Sequence, residues 1–545
     1  MKKLFTIFII AAVLCITGCK QASTTDDNNL TKTIKISKDG EVYLIKLNTT
    51  EKTCYEDDTG YVKKVARSAV EENNLDTDFS VRCMNEKISK ALLNEPASRS
   101  AASNTQTGTN NLDSINTGDT QKFYSITGQQ NDKQYGTINI SSELDATCKY
   151  KGTHCLVYAD NNNAKLLNHN GDYISDEVYV TLGQKFDACY EEVIKIIGNP
   201  VYGKYNADYF VPCTTKITIF VSDLFGDAQE NQETGTVGYF YSADLFDQSY
   251  LDNSSMFNKG LTKTSPYYIH TNQREMFYID TVFLKEMPKI VYSTLVHEFN
   301  HMINFVIKTL NYMTDNTKDL AYAQACDTWF TEMLAMTTED MFQKYLDLDD
   351  EHSPKARLST FGFNYCYGFK NWNNQNVDQL SMYANTYAFG AFLARNFGGI
   401  ELIKEIAQSS YVDEQAITKA IQKLNPGKTY TDEVTEETKP WDFTFALRKF
   451  PLCVIYTDYG YEWSLNNKTG FTNGSKIGFS EINLKQRVAV NGQEYQLPVY
   501  FYSDKKGCVN ILAKGFTVHH VGTNITSFTL TVPKTSKLEY YYVIK

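Results

Sequence analysis

The fold class is decided by the stretch Tyr292-Ser293-Thr294-Leu295-Val296-His297-Glu298-Phe299-Asn300-His301-Met302-Ile303-Asn304-Phe305, in which apolar residues recur at helical spacing. This stretch contains the pattern His-Glu-x-x-His. Because residues four apart share one face of a helix, His297 and His301 can hold one metal ion between them, and Glu298 can reach a water on that ion. The stretch therefore predicts a metal centre carried by a core helix.

A second helical pattern supplies carboxylates downstream, in Trp329-Phe330-Thr331-Glu332-Met333-Leu334-Ala335-Met336-Thr337-Thr338-Glu339-Asp340. The chain between the two stretches is long enough for a loop and a returning antiparallel helix. Glu332 and Glu339 stand seven residues apart, nearly two helical turns, so their carboxylates fall on the same face. This pattern predicts a second helix whose acidic side chains point toward the first helix.

The two stretches resemble the hyicolysin-type metallopeptidases, within the wider gluzincin group. The resemblance covers about residues 122–449 and is strongest in these two stretches. It implies a zincin-like domain that binds one Zn²⁺ per chain through His297, His301 and Glu332. The residues on either side of Glu332 differ from the commonest gluzincin pattern, which affects substrate contacts rather than zinc ligation.

Three further features are candidates for the same site. Glu339 can hydrogen-bond the free nitrogen of a ligand histidine, although a capping or solvent role is the alternative. The Tyr-x-x-Gly element at Tyr387 resembles the gluzincin element that supplies an oxyanion-stabilising tyrosine; Tyr383 is the second choice, and packing is the alternative for both. The segment 235–240 can form an edge strand that pairs with an extended peptide, or else an ordinary hairpin.

The N-terminal residues have the pattern of a targeting signal. An uncharged stretch from Leu4 through Ile16 follows two lysines, and small residues precede Cys19. The sequence around Cys19 resembles the bacterial lipobox, which implies a lipoprotein signal peptide at 1–18, lipidation of Cys19 and a chain anchored to a membrane of the bacterial cell envelope. An ordinary secretory signal is the alternative, and in both cases the mature chain is exported.

Composition narrows the class of protein further. The formal net charge is −11 and the pI is about 5.4, so no nucleic-acid partner is expected. In an exported chain the cysteines after Cys19 are able to form disulfides, and Cys148 and Cys155, which flank a short turn, are the first candidates for a pair. No Cys-x-x-Cys pair occurs, so a cysteine zinc site is not expected.

The chain divides by pattern into an α+β architecture. We predict a mixed sheet followed by a helical bundle that carries His-Glu-x-x-His, with β-rich regions on both sides. The predicted units are a signal peptide at 1–18, a polar tether at 19–33, an accessory region or prosegment at 34–96 with a helix-like stretch near 61–71, a low-complexity linker at 97–120, the zincin-like metallopeptidase domain at 121–449 and a β-rich domain at 450–545.

Together these features predict a zinc-dependent metalloendopeptidase that acts on protein or peptide substrates. In this hypothesis Glu298 is the general base that takes a proton from the attacking water. The alternative is a surface lipoprotein that acts as a binding or adhesion module, with a structural or vestigial metal site. An intact His-Glu-x-x-His pattern favours the enzyme over the vestigial site.

Overall fold

The computed structural model defines how this chain folds. It describes residues 28–55, 59–63, 105–106, 108–132, 136–162, 166, 174–203, 205–228, 235–255, 257–310, 326–372, 378–432, 436–457, 475–490, 493–501 and 509–545. Cys19, the predicted signal peptide and most of the predicted 34–96 region lie outside these residues.

The strands of the described residues are mostly short. They are β1 (Asn29–Lys35), β2 (Glu41–Leu47), β3 (Tyr61–Lys63), β4 (Thr105–Gln106), β5 (Thr109–Asn110), β6 (Thr120–Asp132), β7 (Gly136–Lys151), β8 (Cys155–Asp160), β9 (Tyr205–Asn206), β10 (Cys213–Thr214), β11 (Ile217–Ser222), β12 (Gly238–Phe240), β13 (Met276–Asp280), β14 (Thr429–Asp432), β15 (Glu437–Pro440), β16 (Arg487–Val490), β17 (Gln493–Gln496), β18 (Phe516–Thr523), β19 (Ser527–Pro533) and β20 (Glu539–Ile544).

Helices dominate the middle of the chain. They are α1 (Asp176–Ile196), α2 (Gln248–Asn253), α3 (Thr281–Glu286), α4 (Pro288–Phe305), α5 (Thr328–Phe342), α6 (Leu358–Asn364), α7 (Gln379–Phe397), α8 (Ile400–Gln408), α9 (Asp413–Leu424), α10 (Phe443–Lys449) and α11 (Leu452–Ile455). A π-helical turn, Val306–Leu310, extends α4, and two short 3₁₀ helices, Asp350–His352 and Pro354–Arg357, follow α5. In the part of the chain that is described, no helix combines the length and apolarity needed to cross a bilayer.

A six-stranded mixed sheet supports the helices. Its strand order is β12-β13-β11-β8-β7-β6; β8, β11 and β13 run parallel, and β12 is an antiparallel edge strand. The residues of β11 are all buried because both faces of the sheet are covered. On one face, the ring of Phe186 in α1 packs 5.1 Å from the ring of Phe299 in α4. The predicted mixed sheet followed by a helical bundle is confirmed.

Close helix packing explains a glycine of the Tyr-x-x-Gly element. A Cβ atom on Gly390 in α7 would lie 2.3 Å from Oγ1 of Thr337 and 2.8 Å from Cγ of Met333, both in α5. The absence of a side chain therefore lets α7 lie against α5, the helix that carries Glu332. This glycine therefore serves the contact between the two helices.

The two ends of the described chain form one β-structure. β1 and β3 flank β19 in one three-stranded sheet, and β2 lies between β18 and β20 in another. An apolar layer that includes Leu44, Ile511 and Leu530 lies between the strands. The predicted division kept the 34–96 and 450–545 regions apart, whereas the structure pairs their strands directly.

Several local predictions at the N-terminal side are corrected. The last residues of the predicted tether, 29–33, belong to β1 because they pair with β19. Tyr61–Lys63, at the start of the predicted helix-like stretch, is a strand paired with β19, and the rest of that stretch lies outside the described residues. Leu112 and Ile115 in the predicted linker are buried in an apolar cluster with Phe123 of β6.

Cys148 and Cys155 are not bonded to each other. Both are free, buried thiols. Their side chains lie in different apolar clusters: Cys148 packs with Phe123 and Tyr158, and Cys155 packs with Phe186 and Val193. The hairpin between β7 and β8 therefore directs the two sulfur atoms to opposite faces of the sheet, so proximity in sequence did not bring them together.

Candidate metal centre

The three predicted ligand residues converge between α4 and α5. Nε2 of His297 lies 3.0 Å from Nε2 of His301, as expected for residues one helical turn apart. Oε2 of Glu332 lies 3.2 Å from Nε2 of His297, and Oε1 lies 3.5 Å from Nε2 of His301. Ligand atoms about 2.0 to 2.2 Å from a tetrahedral Zn²⁺ stand roughly 3.3 Å from one another, so these spacings fit that ion.

The chemistry of the donor set also fits a cation. Glu332 is completely buried, and neither of its carboxylate oxygens has a hydrogen-bond donor in good geometry among the described residues. A buried carboxylate without a partner is costly, so these oxygens require a positive group. Two imidazole nitrogens and one carboxylate oxygen are the set found in catalytic zinc sites with an open position. Among the described residues, no other His, Cys, Asp or Glu cluster is arranged to hold a metal.

The charges within the cluster shift its titration. Burial alone raises the pKa of a carboxyl group, but the imidazoles of His301 and His297 outweigh it and lower the pKa of Glu332. Burial alone lowers the pKa of an imidazole, but the carboxylates of Glu339 and Glu332 outweigh it and raise the pKa of His297 well above its usual value. The site therefore strongly favours a positive charge between its two helices.

Glu339 supports His297 from behind. Its Oε1 lies 2.6 Å from Nδ1 of His297, and its other oxygen accepts a hydrogen bond from the hydroxyl of Ser293. A carboxylate on Nδ1 fixes the imidazole tautomer and leaves Nε2 directed at the ion. The structure thus places Glu339 where its spacing suggested. Ser293 was missed, although its position four residues before His297 puts it on the same helical face.

Glu298 occupies a buried position next to the ligands. Burial raises the pKa of its carboxyl group, and the imidazoles of His297 and His301 offset only part of that rise. The backbone N–H of Phe240, at the end of the edge strand β12, also stabilises the Glu298 carboxylate. A buried carboxylate with a raised pKa is suited to accept and return a proton.

The predicted edge strand is present beside this centre. β12 pairs with β13 on one side and has no strand partner on the other among the described residues. A Cβ on Gly238 would lie 2.9 Å from Cγ2 of Thr294 in α4, so a glycine lets the strand approach the helix. β12 thus lies close to Glu298 with no described strand on its outer side, and its three residues are buried.

A cavity of about 430 Å³ opens beside His297. One wall follows a single face of α4 and the residue before it: Met287, Ile290, Ser293, Thr294 and His297. Val237, which precedes β12, and Glu339 contribute further atoms. The facing wall comes from Leu380 of α7, from the segment between α5 and α6 and from the first turn of α6: Glu351, His352, Ser353, Pro354, Ala356, Arg357, Ser359 and Thr360. None of the residues in this facing wall had been selected from the sequence.

The two candidate tyrosines do not line this cavity. Neither Tyr387 nor Tyr383 is among its lining residues. Burial, together with the negative charge of Asp340, raises the pKa of Tyr387 well above its ordinary value. Asp340 in turn forms a buried ion pair with Arg395 at 2.9 Å. The oxyanion role of Tyr387 stays a prediction, and its position gives that role no support.

Comparisons with known proteins agree with this geometry. The sequence profile of the Peptidase M30 family matches residues 168–444, just over half of the chain, including all three ligand candidates. The neutral metalloprotease ShpI of Staphylococcus hyicus is 28% identical over 305 residues, which are 53% of this chain and 58% of that protein. The chain thus matches less than two thirds of the relative's length. The resemblance to hyicolysin-type peptidases is confirmed, and the chain belongs to the Peptidase M30 family.

Proposed function

We propose that this protein is a zinc-dependent metalloendopeptidase that hydrolyses peptide bonds in proteins. The observation that carries the proposal is the convergence of Nε2 of His297, Nε2 of His301 and the carboxylate of Glu332 at 3.0 to 3.5 Å in a buried site. The name of the Staphylococcus hyicus relative, a neutral metalloprotease, supports the same activity. Zinc would be held by these three residues, one ion per chain.

The residues around the ligands define the proposed mechanism. Bound Zn²⁺ supplies Lewis acidity and lowers the pKa of a coordinated water. Glu298 takes a proton from the attacking water and passes it to the amine that leaves. Glu339 holds His297 in the tautomer that binds metal. The edge of β12 aligns an extended substrate by backbone hydrogen bonds next to Glu298.

An internal bond is the proposed point of cleavage because the substrate would lie along β12, which has no described strand on its outer side. Of the two carboxylates that line the cavity, Glu339 is bound to His297 and Ser293, and Glu351 is exposed, so neither is arranged to hold a free amino terminus. The substrate class is therefore protein or peptide, recognised over several residues. Backbone pairing gives affinity, and side-chain cavities such as the one beside His297 give selectivity.

We further propose that the protein acts outside the cytoplasm, anchored to a membrane of the bacterial cell envelope by lipid on Cys19. The support is the lipobox-like sequence and the apolar stretch before it. Cys19→Ala is expected to remove lipid attachment and to shift the protein out of the membrane fraction. Unchanged membrane fractionation of that variant, with no labelled fatty acid on either protein, would contradict the anchor.

Metal analysis combined with a protease assay tests the enzymatic proposal. Purified protein is expected to contain close to one zinc per chain and to cleave an unfolded protein substrate, with activity lost in a chelator and restored by zinc. His297→Ala and His301→Ala are expected to lose the metal. A protein that binds zinc but cleaves nothing would favour the rival function of a binding or adhesion module with a structural metal.

A further inference from the structure

The cavity beside His297 is lined by both apolar and charged side chains, and the proposed reaction steps assign no role to most of them. Four apolar side chains line it: Val237, Met287, Ile290 and Leu380. Of these, Val237 precedes the strand edge proposed for the substrate backbone. A side chain that extends from a peptide bound at β12 into this cavity would therefore contact apolar groups.

The far wall of the cavity carries Arg357, at the end of the second 3₁₀ helix. Its guanidinium lies over the ring of Tyr383, 5.1 Å from the ring centroid, which fixes the side chain at the wall. No carboxylate lies within ion-pair distance of Arg357 among the described residues. Arg357 is partly buried and lines the cavity, and its hydrogen-bond donors are therefore not occupied by a carboxylate of the described residues.

His352 stands on the same wall with one ring nitrogen already engaged. Its Nδ1 is held by the carboxylate of Asp349, whose other oxygen lies 3.0 Å from Nζ of Lys289. This arrangement leaves Nε2 of His352 as the nitrogen available to a ligand. The imidazole and Arg357 thus add polar groups to the apolar side chains that line the cavity.

Two acidic residues also line the cavity, and neither cancels Arg357. The carboxylate of Glu339 is already committed to His297 and Ser293. Glu351 is exposed at the rim, where solvent screens its charge. The cavity lining thus combines apolar side chains with one guanidinium that has no carboxylate partner among the described residues.

We propose that this cavity is a specificity subsite for a substrate residue with an apolar stem and a terminal carboxylate, that is, a glutamate beside the cleaved bond, with Arg357 as the recognising residue. A guanidinium binds a carboxylate through two parallel N–H donors, a geometry that an amide or an aliphatic side chain does not offer. This inference rests on the proposed peptidase function and names the substrate class of that same site.

Matched peptides test the subsite in the zinc-loaded protein. Quenched fluorescent peptides are made with Glu, Gln, Leu or Lys at each of the two positions that flank one cleavable bond. The expected kcat/KM for Glu exceeds that for Gln by about tenfold or more at one of the two positions, because a charge-assisted hydrogen bond is replaced by a neutral one. Arg357→Met is expected to bring this Glu/Gln ratio close to one, and Arg357→Lys to leave an intermediate ratio.

Arg487→Met is the matched control, because Arg487 is an exposed arginine of β16 that does not line the cavity. It is expected to keep the parent ratio. A parent ratio near one, or a preference for Lys that disappears in Glu351→Gln, overturns the subsite while leaving the peptidase function intact.

Binding to the Glu298→Gln protein gives a readout that does not depend on turnover. Calorimetric titration is expected to give a Kd about tenfold lower or better for the Glu peptide than for the Gln peptide, with the difference lost when Arg357→Met is added. Equal Kd values for the two peptides overturn the inference. Failure of every peptide to be hydrolysed by zinc-loaded parent protein counts against the proposed function instead, and the titration then decides the subsite by itself.

Discussion

Glu298 is the residue on which the proposed chemistry depends most directly. Glu298→Gln keeps the size of the side chain but removes its basicity, so zinc content and folding are expected to stay at the parent level. Proton transfer by a positioned base contributes about 10² to 10⁴-fold, so kcat is expected to fall by that order. Turnover at the parent rate by a zinc-replete variant would exclude Glu298 as the base.

Glu339 leads to a different prediction because it acts through His297. Glu339→Gln removes the negative charge on Nδ1 of His297, and zinc affinity is expected to fall by about 10 to 100-fold. Competition with a metal-binding dye measures the change. Ser293→Ala is the graded comparison: it removes one donor to Glu339 and is expected to weaken zinc binding less. Equal affinity in Glu339→Gln and the parent would show that the contact does not support the metal.

Glu275 gives the fold a dependence on pH that is independent of the metal. Burial raises the pKa of Glu275 to about 7, although the hydroxyl of Thr214 donates to Oε2 of Glu275 at 2.7 Å and the backbone N–H of Thr214 donates to the same oxygen, which offsets part of that rise. Burial outweighs these hydrogen bonds, so the folded state favours a protonated Glu275. The stability that it contributes is complete below the unfolded pKa near 4.5 and is lost as pH rises through about 7.

Denaturant unfolding at pH 5 and pH 8 tests this behaviour. The glutamine of Glu275→Gln cannot ionise. The free energy of unfolding of this variant minus that of the parent is therefore expected to be higher at pH 8 than at pH 5, by on the order of 1 to 3 kcal/mol. The matched comparison is Glu494→Gln, an exposed carboxyl of β17, for which no such difference is expected. Parallel pH profiles of parent and Glu275→Gln would contradict the buried, protonated carboxyl.

The ligand pattern could be predicted at the residue scale because helical geometry is local. The four-residue spacing of His297 and His301 determines their common face, and the same rule placed Glu339 behind His297. Arg357 and His352 could not be found this way. They reach the cavity only because two short 3₁₀ helices turn the chain back toward α4, and no periodicity in the sequence encodes that approach.

At the scale of elements, the contact between α5 and α7 sets the position of Glu332. Gly390→Ala is expected to destabilise the protein by about 1 to 3 kcal/mol, because a Cβ would overlap Thr337 and Met333. Displacement of α5 would also move Glu332, so weaker zinc retention is expected. Gly203→Ala, at a site with no atom within 4 Å of the added Cβ, is the control and is expected to change stability little. Equal unfolding midpoints for the two variants would contradict tight packing at Gly390.

Element types were predicted well where one pattern ran for many residues, as in α4 and α5. The pattern around Tyr387 predicted a helix, but it could not give the surroundings of the hydroxyl group. Those surroundings include Asp340 and Arg395, which belong to contacts between helices. Tertiary contacts of this kind leave no short-range signal.

At the scale of the whole molecule, the strands before residue 64 complete the sheets formed after residue 515. Lys46 is fully buried and donates to the carbonyl oxygen of Gly60, and Glu51 forms an ion pair of 2.7 Å with Lys514 and one of 3.0 Å with Lys370. The sequence indicated strands at both ends. The alternation of apolar and polar residues does not, however, identify which strand, hundreds of residues away, will pair with a given strand. These contacts weigh against removal of the first strands as a prosegment.

Deletion of residues 28–50 tests that interpretation. The deletion removes β1 and β2, so β18 and β20 lose the strand between them, and cleavage of the 509–545 region by trypsin is expected to accelerate by about tenfold or more. Mass spectrometry of the fragments measures the rate. A protein that lacks only residues 20–27 keeps all of these strands and is the control. Equal protection of the 509–545 region in both proteins would mean that the first strands are dispensable.

The position of β2 between β18 and β20 has a consequence for biogenesis. Val42 pairs with Ile544, so β2, which is synthesised early, cannot complete its sheet until β20 has been synthesised. At about 5 to 20 residues per second, translation of the intervening chain takes roughly 25 to 100 s. During that interval the apolar side of β2 lacks its native cover and is available to chaperones. This sheet can therefore close only after β20 has been synthesised. A chain terminated before β20 keeps an unpaired edge on β2, which quality-control factors can recognise.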